Sequence, residues 1–177
     1  MNLLIIYSST DGHTKIISEK IRNNLKNSNN AELISLDQAI NLDLSKFNKI
    51  IIGASIRYGR HSSDLYKFIK SNKDILEQKK TAFFSVNVVA RKIEKSNPET
   101  NPYIKKFLKI SNWKPDKVAV FAGKVDYPNY RFFDKYIIKL IMFITKGPTD
   151  TSQSYEFTDW SKVDSFAKDI RSNLLKH

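Results

Sequence analysis

Residues 3–25 read LLIIYSSTDGHTKIISEKIRNNL. The first five are apolar with no polar alternation, which reads as a strand covered on both faces. Further on, Ile16, Ile17, Ile21 and Leu25 recur at helical spacing. Between strand and helix lies SSTDGHT, a turn rich in hydroxyls with one glycine. Ser9, Thr10 and Thr14 supply the hydroxyls. Gly12 permits positive φ or close backbone approach. A helix opening near His13 aims its unpaired amides back at the turn. A phosphate monoester can take several of these donors at once. The same residues also make an ordinary polar turn capped by Thr10 or Asp11, and Asp11 puts a carboxylate where an anion would sit. The rest of the chain decides between the two.

Four more strand-like runs follow: AELISL (31–36), KIIIGAS (49–55), TAFFSVNVV (81–89) and KVAVFAG (117–123). Helical sets separate or follow them: Leu65, Phe68, Ile69 and Leu76; Ile104, Phe107 and Leu108; Val163, Phe166, Ile170 and Leu174. Alternating strands and helices, with strands apolar on both sides, make an α/β three-layer fold on a parallel sheet. Its ligand site lies beyond the carboxyl ends of the strands, at the switch point. The loops there are 8–14, 54–63, 85–92 and 122–128, carrying hydroxyls, amides, Tyr58, Arg57, Arg60, Arg91 and Lys92. One segment departs from the alternation, an insert of approximately 124–150 after the fifth strand, long for a connection.

At 177 residues the chain is expected to form a single domain, 1–177, with a sizeable core. It has no cysteine, which excludes a disulfide framework, thiol chemistry and cysteine-bound metal; no metal site is expected. No run is long enough to span a bilayer, and the strand starts without a basic n-region or cleavage site, so no signal peptide is expected. The net charge of +12 favours anionic partners. Its cations are spread along the chain with no nucleic-acid motif, so no nucleic-acid partner is expected.

The run Ser9-Thr10-Asp11-Gly12-His13-Thr14 resembles the phosphate loop T/S-x-T-G-x-T of flavodoxins, with Asp11 in place of the middle threonine. Longer motifs narrow the likeness: GASIRYG (53–59), FSVNVVARK (84–92), PETN (98–101), KFLKISNWKPDKVAVFAG (106–123), YPNYRFFDKYIIKLIM (127–142) and TDTSQSYEFTDW (149–160). In this order they resemble the menaquinone-dependent protoporphyrinogen oxidase family of the flavodoxin-like superfamily, over essentially the whole chain. That family tolerates an aspartate before the loop glycine. The resemblance implies a five-stranded parallel sheet in the order 2-1-3-4-5. It implies FMN held by Ser9, Thr10, Asp11, Gly12, His13 and Thr14, by Ala54, Ser55, Ile56, Arg57, Tyr58 and Gly59, and by Ser85, Val86, Asn87, Val88, Val89 and Ala90. It implies oxidation of protoporphyrinogen IX, with electrons passed to menaquinone or another membrane quinone. A general quinone reductase or electron carrier is the alternative.

Within that expectation the residues take roles. Arg57 and Arg91 are candidates for binding substrate propionates or for steadying negative charge on a reduced flavin, with Arg60 and Lys92 beside them. As side chains these also read as ordinary solvated cations. Tyr58 reads as a cover for the flavin ring, or as a half-buried tyrosine. Ser85 and Asn87 are expected at its pyrimidine edge, partly through backbone. His61 is a weak proton-acceptor candidate, with a place at the following helix start as the plainer reading. In Phe132 to Ile144, ten of thirteen residues are apolar or aromatic. Arg131, Lys135 and Lys139 recur every four along one face. This helix of roughly 20 Å is too short to span a bilayer. It reads as an interfacial element: Phe132, Phe133, Tyr136, Ile137, Leu140 and Ile141 for acyl chains, quinone or porphyrin, the cations for headgroups. A core helix or an oligomer contact is the alternative. A peripheral position on the cytoplasmic face of the cell membrane follows from the first of these readings.

Overall fold

The computed structural model describes residues 2–25 and 30–174. Strands β1 (Asn2–Ser8), β2 (Asn30–Ser35), β3 (Lys49–Ser55), β4 (Lys80–Val86) and β5 (Lys117–Phe121) form one sheet in the order β2-β1-β3-β4-β5. Every pairing in it is parallel. The expected order 2-1-3-4-5 is the observed one.

Alternate residues of each strand feed opposite layers. Leu4, Ile6, Ile50, Ile52 and Phe83 belong to a core shared with Leu65, Phe68, Ile104 and Phe107. These come from helices α3 (Ser63–Ser71) and α5 (Pro102–Ser111); α4 (Lys73–Gln78) follows α3, and a short α2 (Leu36–Ala39) lies between β2 and β3. Leu3, Ile5, Ile51 and Phe84 join Ile17, Ile21, Val163 and Phe166 on the other face, from α1 (His13–Leu25) and α7 (Trp160–Asp169). A helix on each face explains why the strands lack polar alternation.

Two of the boundaries that differ from the sequence reading have a clear local cause. The run 81–89 ends as strand at Val86, because the Asn87 side chain accepts from the Ala90 amide and turns the chain into a 3₁₀ turn, Val88–Arg91. The set Leu65 to Leu76 is two helices. Asn72 donates its side-chain amide to the Phe68 carbonyl at 2.9 Å, ending α3, and α4 restarts one residue on. Of the helical sets, Ile16 faces solvent; the Leu174 side chain lies outside the described residues.

The insert leaves the sheet through β6 (Lys124–Asp126) and returns through β7 (Ser154–Glu156), which pair antiparallel. This ribbon roots α6 (Phe132–Ile144) next to the carboxyl ends of β3 and β4. Val125, Tyr127 and Met142 form a small third core against Val88, Tyr130, Ile138 and Tyr155. The Tyr127 hydroxyl donates to the Pro148 carbonyl at 2.9 Å, tying the start of the insert to its end.

Candidate functional site

The first loop enters α1 through Gly12, at φ 83°, a conformation that side-chain-bearing residues rarely hold. Around this turn are three buried polar atoms without a hydrogen-bond partner: Ser9 Oγ, His13 Nδ1 and Thr14 Oγ1. Such atoms are costly to leave unpaired. The two hydroxyls at one helix N-terminus can donate to an oxygen-rich ligand. The histidine's state follows from its neighbour. Thr158 Oγ1 donates to the Ala122 carbonyl at 2.9 Å. Having spent its one proton, it accepts from His13 Nε2 at 2.6 Å. Neutral His13 therefore carries its proton on Nε2 and leaves Nδ1 free. Burial pushes the His13 pKa below its ordinary value.

These groups border a small cavity of about 50 Å³ that also touches Asp11, Ser55, Ile56, Val86, Asn87, Val88, Gly123 and Lys124. A second cavity, of about 100 Å³, shares Asp11, Ile56, Asn87, Val88 and Lys124 with the first. Its walls are Tyr58, Gly59, Val89, Tyr103, Tyr130 and Met142, with Ile138 and Ile141 from α6. A polar nook at a helix N-terminus thus opens into an apolar, aromatic slot. That pairing fits a phosphate monoester carrying a flat ring.

The slot's rim is a hairpin turn. Arg57 and Arg60 exchange both backbone hydrogen bonds, at 3.0 and 3.2 Å. The two residues between them, Tyr58 and Gly59, have φ of 50° and 77°. This is the two-residue turn that needs positive φ twice. Gly59 takes that conformation freely, and Tyr58 takes it at a cost in strain. The Tyr58 hydroxyl donates to the Asp134 carboxylate on α6.

Arg57 is the pivot. Its Nη1 donates to Asp11 Oδ2 at 2.6 Å and its Nη2 lies 3.2 Å from Asp134 Oδ2. Its guanidinium stands 5.1 Å from the Tyr58 ring centre and 5.0 Å from that of Tyr130. It joins the first loop, the hairpin and the insert helix, and its side chain is only 18% exposed. Burial raises the Asp11 pKa above its ordinary value, against the pull of Arg57.

Arg91 is spent at the other end of α6. It donates to the Val88 carbonyl at 3.0 Å, the Thr145 carbonyl at 2.7 Å and the Thr145 hydroxyl at 3.0 Å. A cation there meets the negative end of the helix dipole. Both guanidinium groups, expected as propionate ligands, are engaged in holding the insert.

Other expected residues also sort out. Ser9, Asp11, His13, Thr14, Ser55, Ile56, Arg57, Tyr58, Gly59, Val86, Asn87, Val88 and Val89 line one or both cavities. Ala54 and Ser85 are fully buried. Ala90 and Arg91 border a different cavity, and Thr10 faces a third. Lys92 ends the 3₁₀ turn outside both site cavities. The Ser85 and Asn87 side chains are held by partners within the protein. Asn87 accepts from the Ala90 and Asn101 amides and donates to Ser85 at 3.2 Å. Sequence reasoning missed Tyr103, Lys124, Tyr130, Ile138, Met142 and Thr158. Of these, only the aromatic run of the insert signalled itself.

His61 is corrected as a proton acceptor. It is 3% exposed, with Tyr66, Phe83 and Phe107 edge-on around it and Nε2 3.0 Å from Ser85 Oγ. The cap of α3 is Ser62. Burial lowers the His61 pKa to about 4. An unfolded histidine titrates near 6.5. The folded state therefore resists a proton that the unfolded state accepts, and stability falls as pH drops from about 6.5 to about 4. Between pH 7 and 5 the loss from His61 is expected to be about 2 kcal/mol. His13 adds in the same direction. Urea titrations of His61→Phe against the parent should show a shallower loss by that amount. Parallel pH profiles would disprove the assignment.

A flavodoxin domain is recognised over residues 4–152. The protoporphyrinogen IX dehydrogenase (quinone) of Escherichia coli K12 is 41% identical over 171 residues, covering 96% of this chain and 94% of that protein. The chain belongs to the flavodoxin-domain family, with the protoporphyrinogen IX dehydrogenases. A Leishmania major protein of that name is 40% identical over 169 residues, covering 94% of this chain and 73% of its own. Among solved structures, oxidised flavodoxin 1 from Bacillus cereus superposes with a TM-score of 0.58 at 16% identity, covering 98% of this chain and 99% of that one. That likeness concerns the fold.

Proposed function

We propose that this chain is an FMN-dependent oxidoreductase of porphyrin and haem biosynthesis that oxidises protoporphyrinogen IX and delivers the electrons to menaquinone or another respiratory quinone. The observation that carries the reading is the pair of unpartnered buried hydroxyls of Ser9 and Thr14, beside an aromatic slot. It occurs in a chain 41% identical, over nearly its whole length, to proteins named for that reaction. FMN, when bound, supplies the two-electron chemistry, three rounds of which remove six electrons. The protein's part is binding and exclusion. The Ser9 and Thr14 hydroxyls and the α1 amides hold the phosphate. Tyr58, Tyr130, Val88 and Met142 keep water from the ring. Arg57 keeps the Asp11 carboxylate occupied, so that it does not oppose the phosphate unpaired.

Anaerobic mixing tests this. Protoporphyrinogen IX should bleach the visible absorbance of the FMN-loaded protein, and a menaquinone analogue should restore it. No bleaching would remove the proposal. Bleaching by a quinol alone would favour the general quinone reductase.

Among the described residues no helix is long and apolar enough to cross a membrane. Yet α6 leaves Phe132, Phe133, Tyr136, Ile137, Leu140, Phe143 and Ile144 exposed, Phe133 at 78%. Only Met142 on it is buried, so it is not a core helix of this chain. Such a face, with Arg131, Lys135 and Lys139 along it, supports peripheral attachment to the cytoplasmic face of the cell membrane. It would meet a lipid-soluble quinone at the rim of the slot. Phe133→Ser with Leu140→Ser and Phe143→Ser should weaken binding to anionic vesicles about tenfold. FMN content should be unchanged, because these residues line neither site cavity. Equal vesicle binding with a loss of dimer in sedimentation would assign the face to a second copy instead.

A further inference from the structure

On the far side of the Arg57–Arg60 hairpin, between α3 and α5, lies the largest of the cavities described, about 720 Å³. Thr10, Arg60, Tyr66, Lys67, Lys106 and Ile110 are among its walls. Arg57 also borders it, and no carboxylate does. The charge of Arg57 is already met by Asp11 and Asp134. Lys67 pairs with Asp64 at 3.0 Å. Arg60 and Lys106 have no carboxylate within ion-pair distance among the described residues. The trough continues into a neighbouring cavity of about 440 Å³ that shares Tyr66, Lys67 and Ile110 and adds Lys70, together with Lys73, which pairs with Glu77 at 3.5 Å. Its walls are apolar as well as basic. Ile110 is 54% exposed and Tyr58 45%.

Unbalanced positive charge beside exposed apolar and aromatic surface selects a flat apolar molecule with carboxylates on its edge. Volumes of roughly 300–1,000 Å³ are those of small-molecule sites. Position adds a second argument. Arg57 and Tyr58 border both this trough and the aromatic slot. A ligand in the trough therefore lies one turn away from the proposed cofactor ring.

We propose that the trough anchors the carboxylates of the acidic tetrapyrrole substrate through Arg60 and Lys106. This rests on the functional reading above and reassigns anion recognition from Arg57 and Arg91, whose guanidinium groups are committed. Arg60 is set by the backbone pairing of the hairpin. Lys106 stands on α5 opposite. Guanidinium and ammonium donors from two elements match two propionates on one edge of a macrocycle.

The test uses FMN-loaded protein carrying Arg60→Gln and Lys106→Gln, singly and together. Steady-state turnover is measured with protoporphyrinogen IX and with its dimethyl ester. The double variant should raise KM for the diacid about tenfold, with kcat and quinone KM little changed. Its KM for the ester should move little, so the preference for the diacid collapses. Lys46→Gln with Lys114→Gln, the same charge change at the other end of the sheet, should leave that preference intact. Binding of protoporphyrin IX to the oxidised protein, read by porphyrin fluorescence, should weaken by a similar factor in the double variant. If the parent protein fails to oxidise protoporphyrinogen, the functional reading falls, and the binding arm still decides the trough. An unchanged dissociation constant in the double variant, or no protoporphyrin binding by the parent, overturns the trough. Normal turnover with an unchanged diacid preference in the double variant overturns the trough alone.

Discussion

Replacing both buried hydroxyls of the first loop, Ser9→Ala with Thr14→Val, is expected to weaken FMN binding a hundredfold or more while the apoprotein stays as stable as before, or gains. The two signs have one cause. In the chain alone Ser9 Oγ and Thr14 Oγ1 are buried without partners. Removing a buried, unsatisfied hydroxyl relieves a desolvation penalty. Bound to a phosphate, each hydroxyl makes a charge-assisted hydrogen bond worth about 1.5–3 kcal/mol, or roughly ten- to a hundredfold in affinity. Fluorimetric FMN titration and urea unfolding of the apoprotein measure the two effects separately. Loss of apoprotein stability with unaltered FMN affinity would mean that these hydroxyls serve the fold and not a phosphate.

Arg57→Met is the second large effect. Methionine keeps the unbranched stem of the side chain and removes the guanidinium from between Asp11 and Asp134. Two facing carboxylates are left with their shared partner gone. A fully buried pair broken in this way costs about 3–5 kcal/mol. Here the Asp11 carboxylate is about a third exposed, so water screens part of the loss from that pair, and about 2 kcal/mol is expected. A functional loss of at least tenfold in kcat/KM should accompany it, because Tyr130, Ile138 and Met142 close the slot only while the insert is held down. Trypsin should cut at Lys135 or Lys139 faster in this variant. Asp134→Asn should do less, since Arg57 keeps Asp11 and the amide oxygen can still accept from Tyr58. A double-mutant cycle between the two changes isolates their coupling. Parental proteolysis and turnover in Arg57→Met would end the idea of a clamp.

Much of the site was legible beforehand, for local reasons. Gly12 between hydroxyl residues, after an apolar strand and before a helical repeat, marks a loop at a helix N-terminus from adjacent residues alone. The same holds for GASIRYG, whose Tyr58-Gly59 pair is the tip of a turn. The exposed apolar stripe of α6 was visible as composition. Asp11, the one departure in the phosphate loop, looked like an obstacle. Its carboxylate is instead held by Arg57, from 46 residues away.

The amino-acid pattern alone determined the α/β alternation, the two-sided burial of the strands, the ligand-facing loops and the amphipathic insert. Each of these depends on periodicity or on neighbours within a few residues, and so is written locally. Only the tertiary structure decided what the long polar side chains do. Arg57 reaches Asp11 and Asp134, Arg91 reaches Thr145 across 54 residues, and His61 turns into an aromatic core. Arg60 and Lys106 are left facing an open trough. A guanidinium on a flexible stem pairs with whichever carboxylate or carbonyl the packed layers bring within about 3 Å, and no local run of residues specifies which one that is.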